Sequence, residues 1–416
     1  MSLIYGPDGL DSSRRSDDLK ILDVARALMP KLATWRDHLH RHPELSFQEH
    51  LTAQYLEEQL ATMADLAVVS KIGNTYGLAA QLGSGSGPHV AIRADMDALP
   101  LNEIAGHEIR SEHAGVMHAC GHDGHMAMAL GATHLISQLW RDWGLAGRVT
   151  VVFQPAEEAP DASGKTGAPY MVASGILDDV DAIVALHMDP EQPTGSIRLH
   201  DGACMASVDN FRITLFGQGG HAGYPHQALD PLFMMIPVLS AIHGITARRV
   251  SPLVPAVVSV CHVQGGTTNN VIPSEVMLEG TLRSYDAGVR EHMIQEIERA
   301  ASLCENLGGR YQLEVARCEP ATINHPEVNR VVAGVFEDLT GSTPIRSGPF
   351  GMGGEDFGFM TQKVPGALVF LGCRKPGAPS MSLHSPEFEL DPEALAIGTA
   401  LLADTVCRIL KSKGLK

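Results

Sequence analysis

Positive charge is scarce in this sequence. Its 416 residues include 31 Lys and Arg against 48 Asp and Glu, so the net charge is −17. Such a balance argues against the phosphate backbone of nucleic acids, or an anionic membrane surface, as the main partner. A small anionic substrate is still compatible with it, because a local pocket can differ in sign from the whole surface.

Cysteine pairs and long apolar runs are also missing. The seven cysteines are scattered without CxxC spacing, an odd number that is not a disulfide framework and that fits a reducing compartment. The first twenty residues contain no apolar segment typical of a secretory signal. We see no apolar run of about 18 residues, roughly the length of a membrane span. We therefore expect a cytoplasmic protein.

The pattern of apolar residues favours an α/β fold with more than one domain, since the chain is too long for one simple core. Apolar, β-branched segments alternate with helical ones, which predicts a mostly parallel sheet flanked by helices. The predicted strands are residues 89–94, 149–153, 182–186 and 367–371. The predicted helices are residues 19–39, 52–63, 125–140, 167–174, 325–339 and 392–411.

A different pattern begins after about Asp201. Strand, helix, two strands, helix and strand are predicted in turn at residues 208–216, 228–248, 256–263, 275–282, 287–307 and 311–316. This βαββαβ order is that of the ferredoxin-like unit. We therefore predict a discontinuous catalytic domain, residues 1–201 and 319–416, and an inserted lid or dimerisation domain, residues 202–318.

The densest set of metal-binding residue types is His-Ala-Cys-Gly-His-Asp-Gly-His at residues 118–125, between a predicted strand and a predicted helix. Residues two apart in an extended segment point the same way, so Cys120 and His122 can face one site. A thiolate is a strong metal ligand and can bridge two cations. Alone, Cys120 would be interpreted as a buried structural cysteine, but the surrounding histidines favour a metal site.

Two adjacent carboxylates, Glu157 and Glu158, follow the predicted strand 149–153. Parallel α/β sheets bind their ligands at the carboxyl ends of strands. Adjacent side chains diverge, so one carboxylate can bind metal while the other acts as a base beside a metal-bound water. In isolation, this pair would be interpreted as a solvated acidic loop.

Two further histidines extend the set. His187 follows the predicted strand 182–186, and His384 lies in a loop before the last predicted helix. Each alone is more often structural than a ligand. Together with Cys120, His122 and Glu158 they make five ligands, which are too many for one tetrahedral site but suit two metals that share a bridge and a water.

The predicted insert carries its own candidates. His221 lies in a glycine-rich turn whose context does not fit a nucleotide-binding loop. Asn270 and Arg283 are expected at neighbouring strand ends, where an amide and a guanidinium can bind a carboxylate together. Glu355 and Asp356 form a second acidic loop, which either supports the metal ligands, contacts the substrate or is a turn with exposed acids.

As an ordered set, the motifs resemble the aminoacylase and carboxypeptidase superfamily of dinuclear metallopeptidases. Within it they look most like the hippurate hydrolases and the auxin-conjugate (IAA-amino acid) amidohydrolases. The resemblance runs from residues 40–46 to residues 383–388. It is carried by RADMDALP at 93–100, HACGHD at 118–123, QPAEE at 154–158, GGHA at 219–222 and GGEDF at 353–357.

This resemblance implies two divalent ions per subunit, zinc, manganese, cobalt or nickel, and a homodimer or homotetramer formed through the insert. It implies that Cys120 bridges the ions and that the two sites are completed by His122, Glu158, His187 and His384. Glu157 would be the general base and Asp97 would orient a ligand. His221, from a partner subunit, would polarise the scissile carbonyl, and Asn270 and Arg283 would hold the substrate carboxylate.

One position departs from the wider superfamily, which usually has a metal-binding histidine where this chain has Asp95. The amidohydrolase subgroup shares this change, with His122 taking over as the ligand. The predicted function is hydrolysis of the amide bond of N-acyl amino acids. The alternatives are a dipeptidase or carboxypeptidase of the same superfamily, a noncatalytic metal-binding or ligand-binding protein, and a redox role for Cys120.

Overall fold

The computed structural model describes residues 21–104 and 106–412. The strands of these residues, in chain order, are β1 Leu66–Ile72, β2 Gly77–Ser84, β3 His89–Asp95, β4 Gly147–Gln154, β5 Ala182–Pro193, β6 Ile197–Leu199, β7 Gly202–Met205, β8 Ser207–Phe216, β9 Gly220–His221, β10 Ala256–Gly265, β11 Val271–Ile272, β12 Glu275–Ser284, β13 Arg310–Arg317, β14 Thr322–Asn324, β15 Ile345–Arg346 and β16 Gly366–Arg374.

The α-helices of the same residues are α1 Ile21–Ala27, α2 Met29–Arg41, α3 His50–Ala61, α4 His122–Leu139, α5 Gly167–Ala173, α6 Pro231–Arg248, α7 Ala287–Ala301, α8 Pro326–Thr340, α9 Phe357–Thr361 and α10 Glu393–Lys411. Short 3₁₀ helices cover Pro225–Gln227 and Ser302–Leu307. The prediction of one helix over residues 19–39 is wrong, because the helix is broken at Leu28, two residues before Pro30. Residues 19 and 20 lie outside the described part.

The chain divides into two compact units. Unit 1 comprises Met1–Gly202, Ile323–Gly348 and Phe359–Lys416, and unit 2 comprises Ala203–Thr322 and Pro349–Gly358. The boundaries predicted from sequence, after residues 201 and 318, differ from these by a few residues. The larger difference is the segment Pro349–Gly358, which the sequence placed in the catalytic domain and which belongs to unit 2.

The sheet of unit 1 has the strand order β1-β2-β4-β3-β5-β16-β14, with β6 beside β16 and β15 beside β6. Strands β4, β3, β5, β16 and β14 run parallel, whereas β1 and β2 are antiparallel to their neighbours. Every residue of β3 is buried, as expected of a parallel strand covered on both faces. The parallel arrangement brings the carboxyl ends of β3, β4 and β5 to one edge of the sheet.

Helices α4 and α10 pack closely in unit 1, where a Cβ atom on Gly398 of α10 would lie 2.0 Å from the Met128 sulfur of α4. A larger residue at Gly398 would therefore force these helices apart. Most residues of both helices are buried with the sheet in one apolar core. This core fixes the amino end of α4 relative to the strand ends.

Unit 2 contains a four-stranded antiparallel sheet in the order β10-β12-β8-β13. With α6 after its first strand and α7 after its third, this is the ferredoxin-like topology. The α/β class, with a mostly parallel flanked sheet and this inserted unit, is therefore confirmed. Helix α6 has 18 residues and is apolar enough to cross a membrane by length and composition alone, contrary to the expectation that the sequence contains no such run. It buries Met234, Val238, Ile242 and Ile245 in the core of unit 2.

Candidate metal centre

A tight turn before helix α4 places Cys120 and His122. Gly121 has a φ of +88°, in the left-handed region that favours glycine. A Cβ atom there would lie 2.7 Å from Cγ of Met188, so a larger residue would also collide with the neighbouring strand. Both side chains that flank this glycine are buried.

Three buried side chains form what we call the inner group, Cys120, His122 and His187, whose ligand atoms lie within 4.8 Å of one another. Cys120 Sγ is 3.4 Å from His187 Nε2. The Nδ1 atom of His187 is 2.9 Å from the carbonyl oxygen of Met188, and that of His122 is 2.8 Å from the carbonyl oxygen of Asp97. An Nδ1–H that donates to a carbonyl leaves Nε2 unprotonated and able to bind a metal.

The outer group consists of Cys120, Glu158 and His384, again within 4.8 Å of one another. His384 Nε2 is 3.3 Å from Glu158 Oε1, and 53% of the His384 side chain is exposed. His384 has a φ of +57°, and its backbone N–H donates to the carbonyl oxygen of Ala119 at 2.9 Å. The loop that carries His384 is therefore tied to the residue beside Cys120. The two groups share the thiol.

The strand β5 extends further than the sequence indicated, to Pro193 rather than to residue 186. Its pairing with β3 nevertheless ends at Ala185, opposite Arg93. His187 is two residues beyond this last pair, so its side chain is level with Asp95 at the edge where β3 ends. The prediction that His187 follows the strand is wrong in detail, because β5 continues along β16 there.

The acidic pair is held by Asp97 through its backbone. Asp97 Oδ1 accepts the N–H of Glu157 at 3.0 Å, and Oδ2 accepts the N–H of Glu158 at 2.9 Å and the hydroxyl of Ser46 at 2.6 Å. Ala156, just before the pair, is left-handed with a φ of +50°. A carboxylate oxygen from each glutamate lies within 4.8 Å of a His122 nitrogen.

The thiol of Cys120 is surrounded by carboxylates. Burial and the carboxylates of Glu158, Glu157 and Asp95 raise the pKa of Cys120 well above its usual value. The free thiol therefore keeps its proton at neutral pH. A bound cation would lower the pKa of the Cys120 thiol, because a thiol that coordinates a metal is deprotonated.

The two inner histidines differ in charge. Burial alone would lower the pKa of His122, but the carboxylates of Asp95 and Asp97 raise it to about 10. Burial and the neighbouring His125 lower the pKa of His187 to about 3. The pocket thus stabilises positive charge at His122, where either a proton or a metal cation can supply it.

The donor set fits two divalent cations of the first transition row, for which thiolate, imidazole and carboxylate are suitable ligands. The clearest sign is His122 Nε2, a buried nitrogen with no hydrogen-bond partner among the described residues. Oε1 of Glu158 is likewise buried and accepts no well-oriented hydrogen bond there. Orphaned polar atoms of this kind are costly unless a ligand satisfies them.

Asp95 and His125 also lie near His122, but their polar side-chain atoms already have hydrogen-bond partners. Asp95 Oδ1 is 2.6 Å from His125 Nδ1, and Oδ2 accepts from Arg93 at 2.8 Å. His125 Nε2 accepts the N–H of Met188 at 2.9 Å. These hydrogen bonds argue against a ligand role for Asp95 and His125.

In unit 2, His221 and Asn270 are neighbours. His221 is exposed and pairs with Val271, and the backbone carbonyl oxygen of Asn270 accepts the N–H of Ala222 at 3.1 Å. Arg283, however, is near the other end of β12, where it pairs with Val208 and donates to the carbonyl oxygen of Met352 at 3.0 Å.

The expectation that Asn270 and Arg283 occupy neighbouring strand ends is therefore wrong. Asn270 precedes the first residue of β12, Glu275. The eight residue-to-residue steps from Glu275 to Arg283 extend about 26 Å along the strand. The predicted strand at residues 275–282 already separates the two residues, because Asn270 precedes it and Arg283 follows it.

Glu355 and Asp356 are buried, so the interpretation of this loop as a turn with exposed acids is wrong. The carboxylate of Glu355 accepts the N–H of Phe357 at 2.9 Å, and its backbone carbonyl accepts the hydroxyl of Thr322 at 3.2 Å. These contacts hold the segment within unit 2.

Sequence reasoning missed Ser46 and Glu49, which contact the loop of the acidic pair through Asp97 and Ala156. The available signal was that Ser46 ends the segment His-Arg-His-Pro-Glu-Leu-Ser at residues 40–46, which contributed to the family resemblance, and that Glu49 follows three residues later.

A thiol, imidazoles and a pair of carboxylates gathered at the carboxyl edge of a parallel sheet define the class of metal-dependent hydrolases. Residues 91–408 match the model of peptidase family M20/M25/M40, which is more than half of the chain. The chain belongs to this family, and the family predicted from the motifs is confirmed.

Individual relatives agree with this assignment. An N-acyl-L-amino acid amidohydrolase of Geobacillus stearothermophilus is 40% identical over 70% of this chain and 78% of its own. Thermostable carboxypeptidase 1 of Saccharolobus solfataricus is 36% identical over 92% of this chain and 97% of its own. The crystal structure of a dinuclear metal-binding M20 peptidase from Bacillus subtilis superposes with a TM-score of 0.80 at 31% identity, covering 93% of this chain and 99% of that one.

Proposed function

We propose that this hydrolase cleaves the amide bond of N-acyl amino acids. The observation that carries the proposal is the pair of ligand groups sharing Cys120, with the second carboxylate of an acidic pair directly beside them. A relative named as an N-acyl-L-amino acid amidohydrolase supports the substrate class. The relative named as a carboxypeptidase supports the alternative, a peptidase that acts on a free-amine substrate.

Two divalent cations, held by the inner and outer groups, would supply Lewis acidity and lower the pKa of a water molecule from 15.7 to about 7. Zinc, manganese, cobalt and nickel all suit this donor set. Glu158 serves as a ligand and Glu157 as the base, because adjacent side chains diverge from the same backbone. Glu157 takes the proton from the water and delivers it to the leaving amine.

The remaining roles fall on unit 2. His221 stabilises the developing oxyanion, and Asn270 and Arg283 bind the substrate carboxylate. Because Asn270 and Arg283 lie at opposite ends of the unit 2 sheet, one copy cannot bring both to one carboxylate. We therefore place His221 and Asn270 of one subunit, and Arg283 of the other, at each active site.

This arrangement needs an oligomer. Helix α6 exposes Phe233 and Ile236, each about 60% accessible, and β10 is an edge strand of its sheet. An exposed apolar helix beside an open strand edge is a suitable surface for a second copy of the chain. We propose a homodimer or homotetramer formed through unit 2, working in the cytoplasm, where free thiols such as these seven persist.

Replacing the base tests the chemistry. Glu157→Gln should lower kcat for benzoyl-glycine by about 10²–10⁴-fold while the bound metal content stays unchanged. Assays of the wild-type protein on benzoyl-glycine and glycyl-glycine separate the amidohydrolase from the peptidase. An unimpaired Glu157→Gln protein would refute the assignment of the base.

Mixing two inactive variants tests the sharing of sites between subunits. If His221 acts in a partner's site, mixed oligomers of His221→Ala and Glu157→Gln regain one intact site, and activity returns after subunit exchange. Each variant exchanged with itself is the matched control. If the mixture stays as inactive as the two controls, His221 acts within its own chain.

A further inference from the structure

Helix α3 is preceded by a glutamate that does not cap it. Glu49 occupies the N-cap position, yet its side chain accepts no hydrogen bond from the first turn. Glu44 takes that role, accepting the N–H groups of Leu51 at 3.2 Å and Thr52 at 2.8 Å. The carboxyl group of Glu49, which is completely buried, is therefore available for other contacts.

Those contacts are with two strained residues. Oε1 of Glu49 accepts the N–H of Ala156 at 2.7 Å and that of Phe47 at 3.0 Å. Both donors are left-handed without being glycine, with φ of +50° at Ala156 and +61° at Phe47. Such conformations persist only where the surroundings over-determine them, and they are common at functional sites.

Glu49 and Asp97 together bind three consecutive amides. Ala156 donates to Glu49, whereas Glu157 and Glu158 donate to the two oxygens of Asp97. Burial and the nearby charge of Asp97 raise the pKa of Glu49 to about 8, so at neutral pH its carboxyl group is mainly protonated. Glu49 thus contributes an acceptor beside Asp97 without adding a full second charge.

We propose that Glu49 is a positioning residue of the hydrolytic site, which holds Ala156 in its left-handed conformation and thereby directs Glu157 and Glu158 to their separate roles. The inference rests on the proposed function for those two roles. The claim that Glu49 holds the backbone of Ala156 rests on the hydrogen bonds alone. Its hydrogen bond to the loop of the acidic pair is to the backbone N–H of Ala156, so we expect it to act through the backbone.

The first test is hydrogen–deuterium exchange in the metal-free, full-length protein, resolved to single residues over the segment 154–158. Glu49→Met removes the acceptor at similar volume, and the Ala156 amide should then exchange at least about 10-fold faster. Glu49→Gln keeps the acceptor and should protect the amide within about threefold of wild type. The control is Glu58→Ala, at an exposed glutamate of the same helix.

The second measurement is steady-state hydrolysis by the metal-loaded variants. Loss of positioning should lower kcat of Glu49→Met by about 10–100-fold with KM nearly unchanged, and Glu49→Gln should restore most of it. If Glu49→Met does not fold, Glu49→Ala replaces it in both experiments.

Unchanged exchange at Ala156 in the Met or Ala variant would overturn the proposal, as would equal effects of Gln and Met. The exchange result holds whatever substrate the enzyme uses. Altered exchange without any hydrolysis of acyl amino acids by the wild-type protein would therefore refute the proposed function and leave the backbone role of Glu49 intact.

Discussion

The inner and outer groups share one thiol but differ in how firmly their other members are held. In the inner group, the Nδ1 atoms of His122 and His187 are both within hydrogen-bond distance of backbone carbonyls, and both side chains are buried. In the outer group, His384 is half-exposed on a loop. Because a preorganised ligand loses little entropy on binding, we expect the inner position to bind its cation more tightly than the outer one.

The largest effect should come from the residue that the groups share. In our assignment Cys120→Ala removes a ligand from both positions, so we expect metal content to fall below one ion per chain and hydrolysis to fall to background. Elemental analysis of the purified protein checks the first part. A variant that still carried two ions would show that Cys120 is not the bridge.

The expected difference in metal affinity between the inner and outer positions is tested by comparing the variants His187→Ala and His384→Ala. The outer substitution should weaken one ion by at least about 10–100-fold and leave the other bound, since the inner group stays complete. The inner substitution should release the tightly bound ion. Competition with a chromogenic chelator measures both affinities, and equal losses in the two variants would contradict the ranking.

A smaller effect is expected at Asp97, which binds no metal in our assignment but holds the amides of Glu157 and Glu158. Asp97→Asn replaces one acceptor oxygen by a donor, so one of these amides loses its partner. We expect the outer ion to bind about 10–100-fold more weakly and the inner ion to change less. The same chelator titration provides the measurement. A loss confined to the inner ion would be inconsistent with this role.

A further effect, on stability rather than on metal binding, depends on pH. The pKa of Glu49 is raised from 4.5 to about 8 in the folded protein. Between these values the unfolded chain releases the proton and the folded chain keeps it, so this group's contribution to the free energy of unfolding falls as pH rises. It is fully present below pH 4.5 and lost above about pH 8.

Glu49→Gln cannot titrate, so its stability relative to wild type should rise with pH, by on the order of a few kcal/mol across this window. Urea unfolding of the metal-free proteins at several pH values measures this difference. A difference that does not vary with pH would mean that Glu49 is ionised in the folded state throughout.

The sequence was most informative where a residue's role follows from local context. The buried strands, the helix after His122 and the βαββαβ order of unit 2 could be predicted because periodicity and residue type decide them locally. The five proposed ligands could be named from their residue types and from the resemblance of the motifs to a known family. The break at Leu28 was missed although Pro30 is a local signal for it. The continuation of β5 past His187 was missed because tertiary pairing decides where such a strand stops.

The sequence by itself determined which metal-binding and catalytic side chains are present, and in which order they occur along the chain of an α/β fold. Only the tertiary structure decided which nitrogen of His122 is orphaned and that Asp95 is fully occupied by Arg93 and His125. It also decided that Glu49 binds the backbone N–H of Ala156. The physical reason is that hydrogen-bond partners and strand ends depend on contacts between residues far apart in the chain, which no local pattern encodes.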